Sequence, residues 1–246
     1  MAGFLSDIGN VRKINEDYLG YHEDSDKKIY VVADGMGGHN AGEIASKIAV
    51  EKTIEYINSI SYINDLEIIL KEAVQFANKK IYEISKTNSS FKGMGTTITA
   101  CLIKGYTMIV ANVGDSRCYV IKENQLCQVT KDHSLVQELV DSGSITREEA
   151  LVHPNKNIIT RSLGTSPKVD VDIYVLDLRE IYKVLLCTDG LSNSLTDSEL
   201  FKIMVNNTNT SACQKLIEKS NQEGGRDNIT VIIFEGECKD DRYFTR

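Results

Sequence analysis

The stretch Ile29-Tyr-Val-Val-Ala-Asp-Gly-Met-Gly-Gly-His39 decides how the chain is read. Its first five residues are apolar and β-prone, the signature of a strand buried on both faces. A carboxylate, Asp34, ends the run, and glycines follow at Gly35, Gly37 and Gly38. Glycine lets the backbone approach a ligand closely and can present a carbonyl to a metal. The blander reading is a strand-to-helix turn capped by Asp34, with His39 beside the start of the helix. A dinucleotide loop fits less well: Gly35-x-Gly37-Gly38 departs from G-x-G-x-x-G, and Asp34 would repel a pyrophosphate.

Three more aspartates stand at the ends of apolar runs. Asp115 follows Met108-Ile-Val-Ala-Asn-Val-Gly114, Asp189 follows Val184-Leu-Leu-Cys-Thr188, and Asp227 precedes Asn228-Ile-Thr-Val-Ile-Ile-Phe234. Carboxylates at strand ends can converge at one edge of a sheet. There they repel one another unless a hard cation neutralises them. The pattern points to a metal-dependent enzyme.

Outward from these runs, the remaining elements follow from periodicity. Strands are expected at Phe4 to Gly9, Tyr18 to His22, Thr96 to Ile103, Thr107 to Val113, Arg117 to Lys122, Leu126 to Val129, Val169 to Leu176, Lys183 to Cys187 and Ile229 to Phe234. The turns Lys104-Gly105, Gly114-Asp115-Ser116 and Glu123-Asn124 imply antiparallel neighbours. Helices are expected over Ala41 to Asn58, Asp65 to Ser85, Asp197 to Val205 and Thr210 to Gln222. In the second of these, Leu66, Ile69, Leu70, Ala73, Ala77, Ile81 and Ile84 keep amphipathic spacing. Two short helices, Ser134 to Asp141 and one from Thr146 with Glu149 closing a capping box, fall in an irregular stretch. Helix pairs segregated from antiparallel strands give an α+β fold class.

The 246 residues, 41% hydrophobic and 26% charged, suit one compact soluble domain. We expect a single catalytic domain over 1–236, with a surface subdomain at 135–164 and a polar tail at 237–246. A formal net charge of −7 argues against nucleic acid and anionic membrane as partners. No apolar run is long enough to span a bilayer, and Met1 to Asp7 lacks the pattern of a secretory signal, so a cytoplasmic location is expected. The six cysteines include no C-x-x-C pair and read as free thiols, with zinc ligation the alternative.

Taken singly, Arg12-Lys-Ile-Asn-Glu-Asp17 is a solvated turn, Gly114-Asp-Ser-Arg117 a hairpin turn, and Gly224-Gly-Arg-Asp-Asn-Ile-Thr230 the start of an edge strand. Together with Asp34 to His39, Gly93-Met-Gly-Thr-Thr97 and Thr188-Asp-Gly-Leu191 they occur in one fixed order. That set, spanning residues 6 to 234, resembles the metal-dependent protein phosphatase family (type 2C), above all its compact bacterial serine/threonine members.

The resemblance implies a four-layer αββα sandwich: two antiparallel sheets packed face to face, each covered by a helix pair. It also implies two catalytic divalent cations, Mn2+ or Mg2+. Asp34 would bridge them, the Gly35 carbonyl would bind one, and Asp189 and Asp227 would complete the other. Glu16 or Asp17 would act through metal-bound water, and Asp115 would hold a third, weaker ion, shared with Asp189. Arg12 matches the phosphate-binding arginine. His39 matches the proposed general acid, although Met36-Gly-Gly38 separates it from Asp-Gly where other members do not. Residues 135–164 coincide with a variable flap, and Arg161 matches an arginine that packs it.

The implied reaction is hydrolysis of phosphoserine and phosphothreonine on proteins. A hydroxide shared by two cations about 3.5–4 Å apart attacks phosphorus in line. Arg12 neutralises non-bridging oxygens bidentately, and His39 donates to the leaving oxygen. Oxygen ligands favour Mn2+ or Mg2+ over Zn2+. The cysteine-phosphatase route is excluded, because no cysteine is followed by an arginine six positions later. The expected partners are phosphorylated proteins and a cognate serine/threonine kinase, and the chain is expected to be a monomer. A catalytically silent binding module would have lost ligands, whereas every expected aspartate is present. A stress-response phosphatase acting on one anti-sigma-factor antagonist would carry sensory or membrane regions, and none is seen.

Overall fold

The computed structural model describes residues 1–37, 41–60 and 65–238. Its strands are β1 (Gly3–Asp7), β2 (Asp17–Glu23), β3 (Lys28–Met36), β4 (Gly95–Thr96), β5 (Ile98–Lys104), β6 (Thr107–Val113), β7 (Arg117–Lys122), β8 (Gln125–Gln128), β9 (Asp172–Asp177), β10 (Lys183–Cys187) and β11 (Ile229–Glu235). Its helices are α1 (Ala41–Ser59), α2 (Leu66–Ser85), α3 (Leu135–Asp141), α4 (Arg147–Leu151), α5 (Asp189–Ser192), α6 (Asp197–Val205) and α7 (Asn209–Gln222). The strands form two antiparallel sheets, one in the order β1-β11-β10-β7-β8 and the other β2-β3-β5-β6-β9, with β4 also on β3.

Uninterrupted apolar strands exist here because both faces of each sheet are covered. In β3, Ile29, Val31 and Ala33 pack under α1 and α2, while Tyr30 and Val32 face the opposite sheet. In β11, Ile229, Val231 and Ile233 pack under α6 and α7, while Ile232 and Phe234 face inward. Period-2 alternation therefore sorts side chains between two apolar layers instead of between core and water. Three apolar layers separate four layers of structure, helix–sheet–sheet–helix, which is the αββα sandwich.

Local chemistry places the ends. Asp65 caps α2 by accepting from the backbone N–H groups of Glu67 and Ile68. Thr146 and Glu149 close a capping box on α4. Glu123 and Asn124, at φ +50° and +61°, make the left-handed two-residue turn between β7 and β8.

Three expectations are corrected. Gly114-Asp115-Ser116 is no hairpin: β6 and β7 lie in different sheets, and these residues carry the chain across. Gly114 sits at φ +108° against Thr97, whose Cβ would lie 2.6 Å from any Cβ added there. The turn thus needs glycine, and it puts Asp115 at the seam between sheets. The strand expected from Val169 begins only at Asp172. Side chains take the preceding carbonyls instead of a strand partner: Gln75 donates to Val169 and Arg161 to Asp170. Finally, Asp189 starts a helical turn, α5, in a stretch for which no element was expected. Of the expected tail, Glu237 and Cys238 donate backbone hydrogen bonds to Leu178 and Ile181, and 239–246 lie outside the described residues.

Register then collects the strand ends. Asp17 at the start of β2 lies opposite Asp34 near the end of β3. Cys187 at the end of β10 lies opposite both Val231 of β11 and Arg117 at the start of β7. Asp34, Asp115, Asp189 and Asp227 are all brought to one end of the sandwich.

The layer between helices and sheet is close-packed, so truncation there is costly. Leu102→Ala, at a fully buried site under α2, should lower stability by about 3 kcal/mol, read as a reduced midpoint in urea unfolding.

Candidate metal centre

At Asp34 the β-ladder passes into side-chain bonding. Its N–H donates to the Thr97 hydroxyl (2.9 Å), and its carbonyl accepts from Thr97 N (2.9 Å) and the Thr96 hydroxyl (2.8 Å). These bonds fix the backbone from which the Asp34 carboxylate projects. Next to it, Gly35 N donates to the Glu16 carbonyl at 3.0 Å. A Cβ on Gly35 would lie 2.1 Å from the Gly42 carbonyl oxygen, and one on Gly42 2.8 Å from the Gly35 carbonyl carbon. Both glycines are therefore required for α1 to close against Asp34 and Glu16.

Asp17 is buried, and its Oδ2 accepts from the Thr188 hydroxyl at 2.8 Å. That hydroxyl oxygen in turn accepts from Thr230 N at 2.9 Å. Thr188 precedes Asp189, so one hydroxyl links the second sheet's Asp17 to the first sheet's β10 and β11. Asn228 organises the loop between β1 and β2. Its amide donates to the carbonyls of Ile8 (3.0 Å) and Ile14 (3.1 Å), and its Oδ1 accepts from Glu16 N (2.8 Å). On that loop Arg12, half exposed, donates from Nη2 to Asp227 Oδ2 at 2.8 Å.

Asp115 is buried, and the turn that carries it is tied to His133. Gly114 N donates to His133 Nδ1 (3.0 Å), and His133 N donates to the Gly114 carbonyl (2.9 Å). Nδ1 is therefore unprotonated, and Nε2–H is left to donate to Asp172, 3.1 Å away. Arg161 holds the other oxygen of Asp172 at 2.6 Å. Arg117 clamps Asp132 with its Nε and Nη2.

The electrostatics confirm that the acids share one space. Burial lifts the Asp34 carboxyl far above the usual range, and the charges of Asp17, Asp189, Asp115 and Asp227 push it the same way. Burial, then neighbouring carboxylates, raise Asp115 to about 8 and Asp17 to about 7, the latter against hydrogen bonds from Thr230 and Thr188. Asp189 reaches about 6, raised by burial and Asp227 and restrained by a hydrogen bond with Asp34. Glu16 is raised by burial, with Arg12 opposing. Arg12 itself is raised, first by its bond to Asp227.

Among the described residues, no three His, Cys, Asp or Glu side chains stand together as a finished metal-ligand group. The acids are nonetheless close enough for their charges to act on one another. Yet Oδ1 of Asp17, of Asp115 and of Asp189 are each buried without a hydrogen-bond partner. A buried, unpartnered carboxylate oxygen is costly unless something positive meets it. Hard divalent cations supply that, so the residues fit them. Of the expected site residues, Arg12, Glu16, Asp17, Asp34, Gly35, Asp115, Asp189 and Asp227 are gathered at this end. His39 lies outside the described residues.

Sequence reading missed the groups that hold the acids: Thr97, Thr188, Asn228 and Thr230. A signal existed: Thr188, Asn228 and Thr230 adjoin or lie near a site aspartate, and all four stand within motifs already singled out.

The geometry defines an αββα sandwich that gathers carboxylates fit for divalent cations, with a half-exposed arginine bonded to one of them. A family model described as protein phosphatase 2C matches residues 10–221. The serine/threonine phosphatase stp of Listeria welshimeri is 40% identical over 239 residues, 95% of each chain. The solved structure of serine/threonine phosphatase Stp1 from Staphylococcus aureus superposes with a TM-score of 0.90 at 36% identity, covering 96% of this chain and 95% of that one. The catalytic domain of serine/threonine protein phosphatase PstP, solved with two manganese ions, gives 0.83 at 33% identity over 95% and 96%. The chain belongs to the protein phosphatase 2C family. It is a protein-serine/threonine phosphatase, and metal-dependent as that family is.

Raised carboxyl pKa values carry a sign for stability. Unfolded aspartates ionise near 3.9, whereas Asp189, Asp17 and Asp115 hold their protons to about 6, 7 and 8. Between these limits the folded state binds more protons than the unfolded one, so stability falls as pH rises. Chelator-treated protein should lose melting temperature steadily from pH 5 to 8.5, and excess Mn2+ should flatten that slope. A chelated protein that gains stability over this range would contradict the assignment.

Proposed function

We propose that this chain removes phosphate from phosphoserine and phosphothreonine in proteins by direct hydrolysis, and that it opposes a bacterial serine/threonine kinase. The observation that carries the mechanism is the group of buried, unpartnered oxygens on Asp17, Asp115 and Asp189 around Asp34. Asp34 and the Gly35 carbonyl would hold one cation, and Asp34, Asp189 and Asp227 the other. Asp17 and Glu16 would lie in the surrounding shell, and Asp115 would take a third ion with Asp189. All donors are oxygens, which suits Mn2+ or Mg2+. Bound there, such ions supply a nucleophile at neutral pH and neutralise phosphoryl charge.

The chain's own residues do the rest. Arg12, on a loop pinned by Asn228, offers its free N–H groups to non-bridging phosphoryl oxygens while Asp227 orients it. Thr188 holds Asp17 in place against repulsion from its neighbours. His39 would give a proton to the departing serine or threonine oxygen. The stretch 135–164, fastened at His133, Arg161 and Asp172, would serve as a flap beside the site within a single catalytic domain.

The test is phosphate release from a phosphothreonine peptide. It should be abolished by EDTA and restored by Mn2+, and Asp34→Asn should lower kcat/KM by at least about a thousandfold. Thr188→Val should weaken Mn2+ binding by calorimetry about tenfold while leaving the fold intact. Turnover that survives chelation would sink the proposal.

A further inference from the structure

The loop that carries Arg12 also exposes three aliphatic side chains: Val11 at 64%, Ile14 at 43% and Ile8 at 37%. Single apolar side chains scattered on a surface need no explanation, but these three fall within seven residues of one loop that is tied down at both ends. This frame is rigid. One Asn228 amide group donates to the carbonyls of both Ile8 and Ile14, which brings the two ends of the loop together. Asn10 N donates to the Gly225 carbonyl at 2.7 Å, and the Asn10 amide to the Asn221 carbonyl at 2.8 Å. The loop backbone is thus tied at several points to the segment that leads into β11. Val11 directly precedes Arg12, so these exposed side chains share one short loop with the arginine proposed to bind phosphate.

We infer that Val11 and Ile14, backed by Ile8, form a specificity rim that takes a large apolar side chain lying within about two residues of the phosphorylated serine or threonine. The inference rests on the phosphatase reading above. A phosphoprotein whose phosphate reaches Arg12 must lay its neighbouring residues against this loop, because consecutive Cα atoms are only about 3.8 Å apart. A leucine or phenylalanine there would cover Val11 and Ile14 and lose its own hydration. A glycine would leave the rim wet. The exposed Lys13 between them offers the competing reading, a preference for an acidic neighbour.

The experiment compares three phosphothreonine peptides, alike except for leucine, glycine or glutamate on both sides of the phosphothreonine. With Mn2+ present, kcat/KM should be about tenfold higher for the leucine peptide than for the glycine peptide, a size usual for one apolar contact. In Val11→Ser/Ile14→Ser that ratio should fall to about one. Equal rates on leucine and glycine peptides, a preference for glutamate, or a ratio the variant leaves untouched would each overturn the rim. If no peptide released phosphate, the phosphatase reading itself would fall first, and the rim with it.

Discussion

Antiparallel pairing sets Asp17 across from Asp34, and the two sheets face one another so closely that Asp115, Asp189 and Asp227 enter the same space. Like charges so placed oppose the fold that gathers them. Much of the surrounding architecture answers that one conflict. Thr188 and Thr230 donate toward Asp17, Arg12 pairs with Asp227, and Asn193 meets the outer oxygen of Asp189. The inner oxygens that remain unpartnered are those that cations would take. Folding and the proposed cation binding would therefore draw on the same carboxylates, and the two threonines among these partners, Thr188 and Thr230, are fully buried.

The core of the fold was legible because burial on both faces leaves a clear mark. Runs such as Ile29 to Ala33 and Val184 to Cys187 lack polar alternation, and that lack signalled coverage on either side. Bounds of β6, β7, β10 and α6 agree with the expectation residue for residue. The sheet to which each strand belongs was not written locally. Gly114-Asp115-Ser116 has hairpin composition, and only the packing of Thr97 against Gly114 reveals a crossing. The αββα order came from resemblance, since neither period nor spacing distinguishes stacked sheets from one broad sheet.

The site was legible in its charges and hidden in its scaffolding. Aspartates at strand ends stand out because burying a carboxylate has to be compensated. Thr188 and Asn228 do not, because threonine and asparagine at a turn have many ordinary uses. Their roles depend on partners far along the chain, 171 residues for Thr188 with Asp17 and 220 for Asn228 with Ile8. No local window contains such a bond. The segment from His133 to Asp172 is similar: its fastening to Gly114 joins groups whose individual motifs say nothing of one another.

Strand β11 lies between β1 and β10, the earliest strand and one of the latest. On the ribosome, β1 emerges long before β11, its sheet partner among the described residues, exists, and must wait through the synthesis of everything between. Asp227 and Asn228 arrive immediately ahead of that partner. A nascent chain consequently has neither a closed first sheet nor a complete acid cluster until β11 has emerged.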